Sequence, residues 1–251
     1  LDLGQGAAQT IDDTVARRLG PLARGDVEDD AAPDVAAVQL LLAGHRLLVI
    51  WLGNIPLDVE ETYYLSWTDR LEFGYFSKPP MVAFLLSLST GLLGETVFAI
   101  KLVSVVLHTL TAAAVYLLAR DLYDTRTAAL SAIGLQLMPI VGLVSLFTST
   151  DAPLLLFWAL ALWGFSRAVS AQSLGWWLFT GVMAGLGLLS KYTMGGLAIG
   201  LMLYLLSSRE HRALLWSPGL WAGLAVAVLV WSPNLYWLTQ HEFITLGHTK
   251  H

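Results

Sequence analysis

Five charged side chains have the type and setting to do chemistry. Glu60 and Glu61 are adjacent in Asp58-Val59-Glu60-Glu61-Thr62-Tyr63-Tyr64, and Lys78 lies in Phe73-Gly74-Tyr75-Phe76-Ser77-Lys78-Pro79-Pro80. Asp151 lies in Thr148-Ser149-Thr150-Asp151-Ala152-Pro153, and Lys191 in Ser190-Lys191-Tyr192. Carboxylates that converge from separate segments suit general-base activation of a hydroxyl, or metal coordination. A lysine beside them suits a departing phosphate. The combination suits group transfer from a lipid phosphate. Taken singly, each residue also has a plain structural reading. Glu60 and Glu61 read as solvated loop acids, Asp151 as the N-cap of the next helix, Lys78 as an interfacial anchor and Lys191 as a turn marker. The conjunction points to a site. The chain has no cysteine, which excludes disulfides, thiol catalysis and thiolate metal sites.

The elements that must position these residues are transmembrane helices. Of 251 residues, 56% are hydrophobic and 13% charged, with mean hydropathy +0.63. Soluble domains carry about 25% charged residues. Apolar runs recur from residue 36 onward and predict an all-α, polytopic helix bundle. Residues 1–35 hold an excess of acids and read as a polar cytoplasmic tail. No basic stripe or recognition motif points to nucleic acid.

Arg120 and Arg126 flank one short polar loop, Arg167 follows an apolar run, and Arg209 and Arg212 lie in another loop. Short arginine-bearing loops favour the cytoplasmic side. Parity then predicts about seven spans and places Glu60, Glu61, Lys78, Asp151 and Lys191 on the outer face. The first spans are expected over about 36–56 and 97–119. Two later ones, about 175–190 and 193–206, are short for a bilayer. Gly181-x-x-x-Gly185 and Gly196-x-x-x-Gly200 there would permit close helix contact. The piece Met81–Leu93 reads as a helix lying at the outer interface, started by Pro79 and Pro80. Arg46 falls inside the first span, where it either snorkels or marks a functional site.

Four motifs then occur in order: Glu60-Glu61-Thr62-Tyr63-Tyr64 with Trp67, Gly74-Tyr75-Phe76-x-Lys78-Pro79-Pro80, Thr150-Asp151-Ala152-Pro153-Leu154 and Leu189-Ser190-Lys191-Tyr192-Thr193. The set resembles bacterial members of glycosyltransferase family 39, relatives of protein O-mannosyltransferases and aminoarabinose lipid A transferases. The resemblance covers about residues 36–245 and implies a GT-C-like domain over 36–251, incomplete at its C-terminal end. It implies an enzyme of the bacterial inner membrane. Such an enzyme would move a sugar from a polyprenyl phosphate carrier to a glycan, lipid or protein acceptor on the periplasmic or exterior face.

By the same resemblance, Glu60, Glu61 and Asp151 are the catalytic candidates. Lys78, with Lys191, would bind the carrier phosphate, and Tyr63, Tyr64 and Tyr75 belong to the substrate loop. Glu60 stands where the family has an aspartate, so its carboxylate reaches one methylene further. Ser77 stands where the aminoarabinose transferases have an acid, which leaves metal ligation open. No cofactor is implied with certainty; a divalent cation fits the acidic loops. The rival class is a membrane transporter or lipid flippase, which would place its ionisable groups near mid-membrane in repeated halves.

Overall fold

The computed structural model describes residues 34–242. The polar tail expected over 1–35 lies outside the described residues except for its last two positions, as does the segment 243–251. Among the described residues there are ten α-helices and no strands. They are α1 (Val35–Leu52), α2 (Val59–Ser66), α3 (Met81–Leu93), α4 (Val97–Leu122), α5 (Thr125–Leu137), α6 (Pro139–Val144), α7 (Asp151–Ala171), α8 (Leu174–Ser190), α9 (Gly195–Ser207) and α10 (Pro218–Gln240). Short 3₁₀ turns at Tyr192–Met194 and Arg212–Trp216 precede α9 and α10. The chain is an all-α integral membrane protein.

Polar residues outside the apolar runs fix where the helices begin. Asp34 accepts from the Ala37 amide at 3.1 Å, Thr96 from Ala99 at 3.1 Å and Asp124 from Thr127 at 2.7 Å. Each satisfies one of the amides left orphaned in a first turn. Pro139 and Pro218 occupy first-turn positions, where a missing N–H costs nothing.

By length and apolarity, α1, α4, α7 and α10 each suffice to cross a bilayer. The remaining expected spans are shorter. One is split into α5 and α6 at Met138-Pro139, one is the 17-residue α8, and one is the 3₁₀ turn with α9. The first span stops at Leu52, earlier than expected, because Gly53 and the left-handed Asn54 end it. The helix Met81–Leu93 forms with the expected bounds. Pro80 is its N-cap rather than a residue of the first turn. Its Val82, Ala83 and Leu86 are fully buried, in one cluster with Ile100, Val103 and Leu107 of α4.

The chain runs back and forth between two ends. At one end, Arg167 of α7 donates through Nη2 to Asp121 of α4 at 2.8 Å, and Trp163 donates to the same carboxylate at 2.7 Å. At the other end, α4 begins beside α2, α7 begins and α8 stops. The 26-residue α4 separates the two ends by roughly 39 Å at 1.5 Å per residue. Within the bundle, Arg46 is buried rather than snorkelling. Its guanidinium donates to the side chain of Gln136 and, at 2.9 Å, to the Gln136 carbonyl, which ties α1 to α5.

Of the two glycine pairs, one makes a close seam. A Cβ at Gly181 would lie 2.1 Å from the Gly223 carbonyl oxygen of α10, and one at Gly185 would lie 2.8 Å from that of Ala227. A Cβ at Gly196 meets only an ordinary contact with Trp158, and one at Gly200 meets nothing within 4 Å. Dispersion contact between backbones is what holds helices together where lipid is as apolar as leucine. Gly181→Leu is therefore expected to lower stability in detergent by about 1–3 kcal/mol, the usual cost of overpacking. Gly200→Leu is expected to leave it within about 0.5 kcal/mol, as surface substitutions usually do. Thermal unfolding of the two variants side by side measures the difference.

Candidate active site

Helix α2 is eight residues long and begins with a capping box. The Asp58 side chain accepts from the Glu60 amide at 3.0 Å, and Glu61 Oε2 accepts from the Asp58 amide at 2.9 Å. This box fixes the helix start. Adjacent helix positions point about 100° apart, so Glu60 and Glu61 face different surroundings.

Glu61 turns inward and is 1% exposed. Its Oε2 lies 2.7 Å from Nζ of Lys101, which is 0% exposed, and its Oε1 accepts from the Thr148 amide at 2.8 Å. Lys101 donates also to the Leu146 carbonyl at 3.2 Å and stands 4.7 Å from the centre of the Phe147 ring. Thr148 Oγ1 closes the knot by donating to the Ile100 carbonyl at 2.7 Å. The Glu61 carboxylate thus joins α2, α4 and the segment before α7. Both of its oxygens are engaged, and it is 99% shielded from solvent.

Glu60 faces out. Its Oε2 accepts from the Tyr64 hydroxyl at 3.0 Å, one helical turn on. Tyr64 is 2% exposed, and burial raises its phenol well above the ordinary range, with the Glu60 carboxylate adding to the effect. The phenol therefore stays protonated and donating at physiological pH. Thr150 and the Asp151 carboxylate also act on this phenol. Tyr64 thus feels the acid of α2 through a hydrogen bond and the acid of α7 only through its charge.

Asp151 is the first residue of α7; the N-cap is Thr150, not Asp151. Its carboxylate is exposed at the helix N-terminus, where a negative charge is favoured. Asp151 Oδ1 lies 2.6 Å from Lys191 Nζ, at the break between α8 and α9. The structure therefore brings Glu60, Tyr64, Asp151 and Lys191 to one end of the bundle.

The aromatic loop is folded on itself. Tyr75 stacks on Trp67 with centroids 4.3 Å apart and planes 5° apart. Its hydroxyl accepts from the Glu72 amide at 3.1 Å and lies 3.2 Å from the carbonyls of Trp67 and Arg70. Tyr75 shapes the loop. Tyr63 is exposed and packs edge-on against Trp67 at 4.8 Å. Lys78 is half-buried, its carbonyl accepts from the Tyr75 amide at 3.1 Å, and its ammonium forms no ion pair among the described residues. Among the described residues, no three His, Asp or Glu side chains gather as metal ligands.

Sequence reasoning missed Lys101 and the residues of α10 that hold the loop. The signal for Lys101 was a lysine inside a 26-residue apolar helix, where charge is rare and usually buried in the protein.

The fold and site define a class of polytopic helical membrane proteins with acids, lysines and aromatics gathered at one end, and the comparisons with known proteins place the chain in a family. The family model described as dolichyl-phosphate-mannose-protein mannosyltransferase matches residues 77–237, and the chain belongs to that family. It is 32% identical over 211 residues to the lipid A galacturonosyltransferase RgtD of Rhizobium johnstonii, covering 82% of this chain and 43% of the relative. It is 27% identical to the lipopolysaccharide core galacturonosyltransferase RgtB of the same organism, covering 84% and 44%. It is 34% identical to the undecaprenyl phosphate-alpha-4-amino-4-deoxy-L-arabinose arabinosyl transferase of Pseudomonas aeruginosa, covering 70% and 36%. The chain thus spans less than half the length of these curated relatives. No solved structure matches it significantly.

Breaking one side of a buried ion pair strands the other charge, at a cost of about 3–5 kcal/mol. Lys101→Met is therefore expected to lower stability by that amount. Lys101→Met combined with Glu61→Leu is expected to recover most of the loss. Thermal unfolding of the single and double variants decides whether the pair acts as a unit.

Proposed function

We propose that the full-length protein is an integral-membrane glycosyltransferase that takes a sugar from a polyprenyl phosphate carrier. The acceptor is a lipid or glycan on the extracytoplasmic side of the inner membrane. The observation that carries this reading is the gathering, from separate segments, of Glu60 on the buried Tyr64 hydroxyl and of the Asp151–Lys191 pair at one end of the bundle. The arginine loops at the far end of the bundle support placing this end outside.

The reaction is an inverting displacement at the anomeric carbon. The acceptor oxygen forms the new bond as the bond from carbon to phosphate oxygen breaks. The electron pair leaves with the polyprenyl phosphate, and the acceptor proton passes to the Glu60 carboxylate. The Tyr64 hydroxyl holds that carboxylate in place, and Asp151 orients the acceptor. Lys78, with Lys191, balances the charge of the departing phosphate. Glu61 serves as the anchor of α2, since its carboxylate is already engaged. An apolar cavity of about 480 Å³ between α7 and α10, lined by Phe165, Trp177, Leu201, Leu224 and Trp231, suits the isoprenoid chain. Tyr192, next to Lys191, also lines it. The relatives named above are transferases by name, and nothing in the comparisons supports the transporter reading.

Sugar transfer from a panel of polyprenyl phosphate donors, by membranes holding the full-length protein, tests the proposal. Asp151→Asn and Glu60→Gln are each expected to reduce transfer by about 10²–10⁴-fold at equal protein levels, the usual worth of a positioned acid or base. Unchanged transfer in one variant would remove that residue from the mechanism. No donor consumption by the wild type would refute the function.

A further inference from the structure

Lys78 and Lys191 lie on segments 113 residues apart in sequence, and neither belongs to the rigid middle of a helix. Something must hold the loop carrying Lys78 at a fixed distance from the turn carrying Lys191. Asn234 of α10 touches both segments. It is fully buried. Its Nδ2 donates to the Phe73 carbonyl at 2.6 Å, in the loop that leads to Lys78. Its Oδ1 accepts from the Tyr192 hydroxyl at 3.1 Å, the residue after Lys191, and from the Trp231 indole at 3.1 Å.

The amide has only one workable orientation. An indole N–H is a donor only, and a backbone carbonyl an acceptor only. Oδ1 must therefore face Trp231, and Nδ2 must face Phe73.

The helix is shaped to present this side chain. Pro233 precedes it inside α10 and leaves the Leu229 carbonyl without its usual amide partner. The Ser232 hydroxyl takes that carbonyl at 2.7 Å. One turn on, the Trp237 indole donates to Glu72 at 2.8 Å. Next to Phe73 the loop backbone approaches so closely that a Cβ at Gly74 would stand 2.4 Å from the Trp237 ring.

We propose that Asn234 is a positioning residue for the carrier phosphate. Its amide fixes the Lys78 loop against the Lys191 turn and so sets the spacing of the two ammonium groups. The inference rests on reading Lys78 and Lys191 as ligands of that phosphate. An aspartate cannot replace Asn234: it keeps an acceptor for Tyr192 and Trp231 but turns an oxygen toward the Phe73 carbonyl.

The test is steady-state kinetics of the full-length protein with a polyprenyl phosphate sugar donor, with farnesyl phosphate as competitor. Asn234→Asp is expected to raise donor KM and the farnesyl phosphate Ki about tenfold, with kcat falling as well, because the same two ammonium groups meet the charge that develops on the departing phosphate. Tyr192→Phe and Gly74→Ala perturb one side of the link each and should shift KM in the same direction. They decide the matter if Asn234→Asp does not fold. A purely structural role would lower the yield of folded protein and leave the KM of the surviving fraction unchanged. Unchanged KM in all folded variants, with an active wild type, overturns the inference alone. A wild type that neither consumes donor nor is inhibited by farnesyl phosphate overturns the functional reading beneath it.

Discussion

Removing a carboxylate and an ammonium from water costs several kcal/mol per ion unless each meets the other and its remaining hydrogen-bonding positions are filled. Glu61 and Lys101 satisfy that condition together with the Thr148 and Asp58 amides and the Leu146 carbonyl. The two acids of the candidate site are placed by this knot. It sets the angle of α2, and so aims Glu60 outward. It holds the segment before α7, and so brings Asp151 to the same end of the bundle. Apolar packing alone would leave α2 free to rotate, because dispersion has little directional preference. A charge pair with three further hydrogen-bond partners does not.

A second framework meets the first from the opposite side. The seam of Gly181, Gly185 and Gly223 draws α8 and α10 together. That contact carries Lys191, at the end of α8, and Asn234, late in α10, into one neighbourhood. The site therefore lies where two rigid pairings converge, one ionic and one steric. The residues proposed to do chemistry sit on short ends and turns. The residues that hold them are buried in helices.

The helix class was legible because apolar runs and flanking arginines leave few alternatives for a chain of this composition. The acids and lysines proposed for the site were named from the resemblance of their ordered motifs, and the structure pairs Asp151 with Lys191 and Glu60 with Tyr64. Orientation was not. Glu60 and Glu61 are chemically identical in the sequence, and only the pairing of Glu61 with Lys101 separates an exposed acid from an anchoring one. Lys101 itself lies 40 residues from its partner, and no local pattern connects the two. The two glycine pairs show the same limit. Both have the spacing for close contact, but only one faces a neighbouring backbone among the described residues. The pairing of Asp151 with Lys191 was hidden too, since a carboxylate next to Ala-Pro reads equally as a helix cap.

The positions of the knot's members along the chain give it a temporal meaning. A nascent chain delivers Glu61 first, Lys101 forty residues later, and Leu146 and Thr148 last of all. Lys101 enters the bilayer near the start of α4, with an acid already made to neutralise it. The pair then waits for the segment before α7 to fill its open hydrogen bonds. Until that segment arrives, α2 has no fixed angle and the acids have no common focus. The angle of α2 at the candidate site is thus fixed only after residue 148 has been made. A ribosome that stalls before residue 146 would leave the charge pair without the Leu146 carbonyl and the Thr148 amide that complete it.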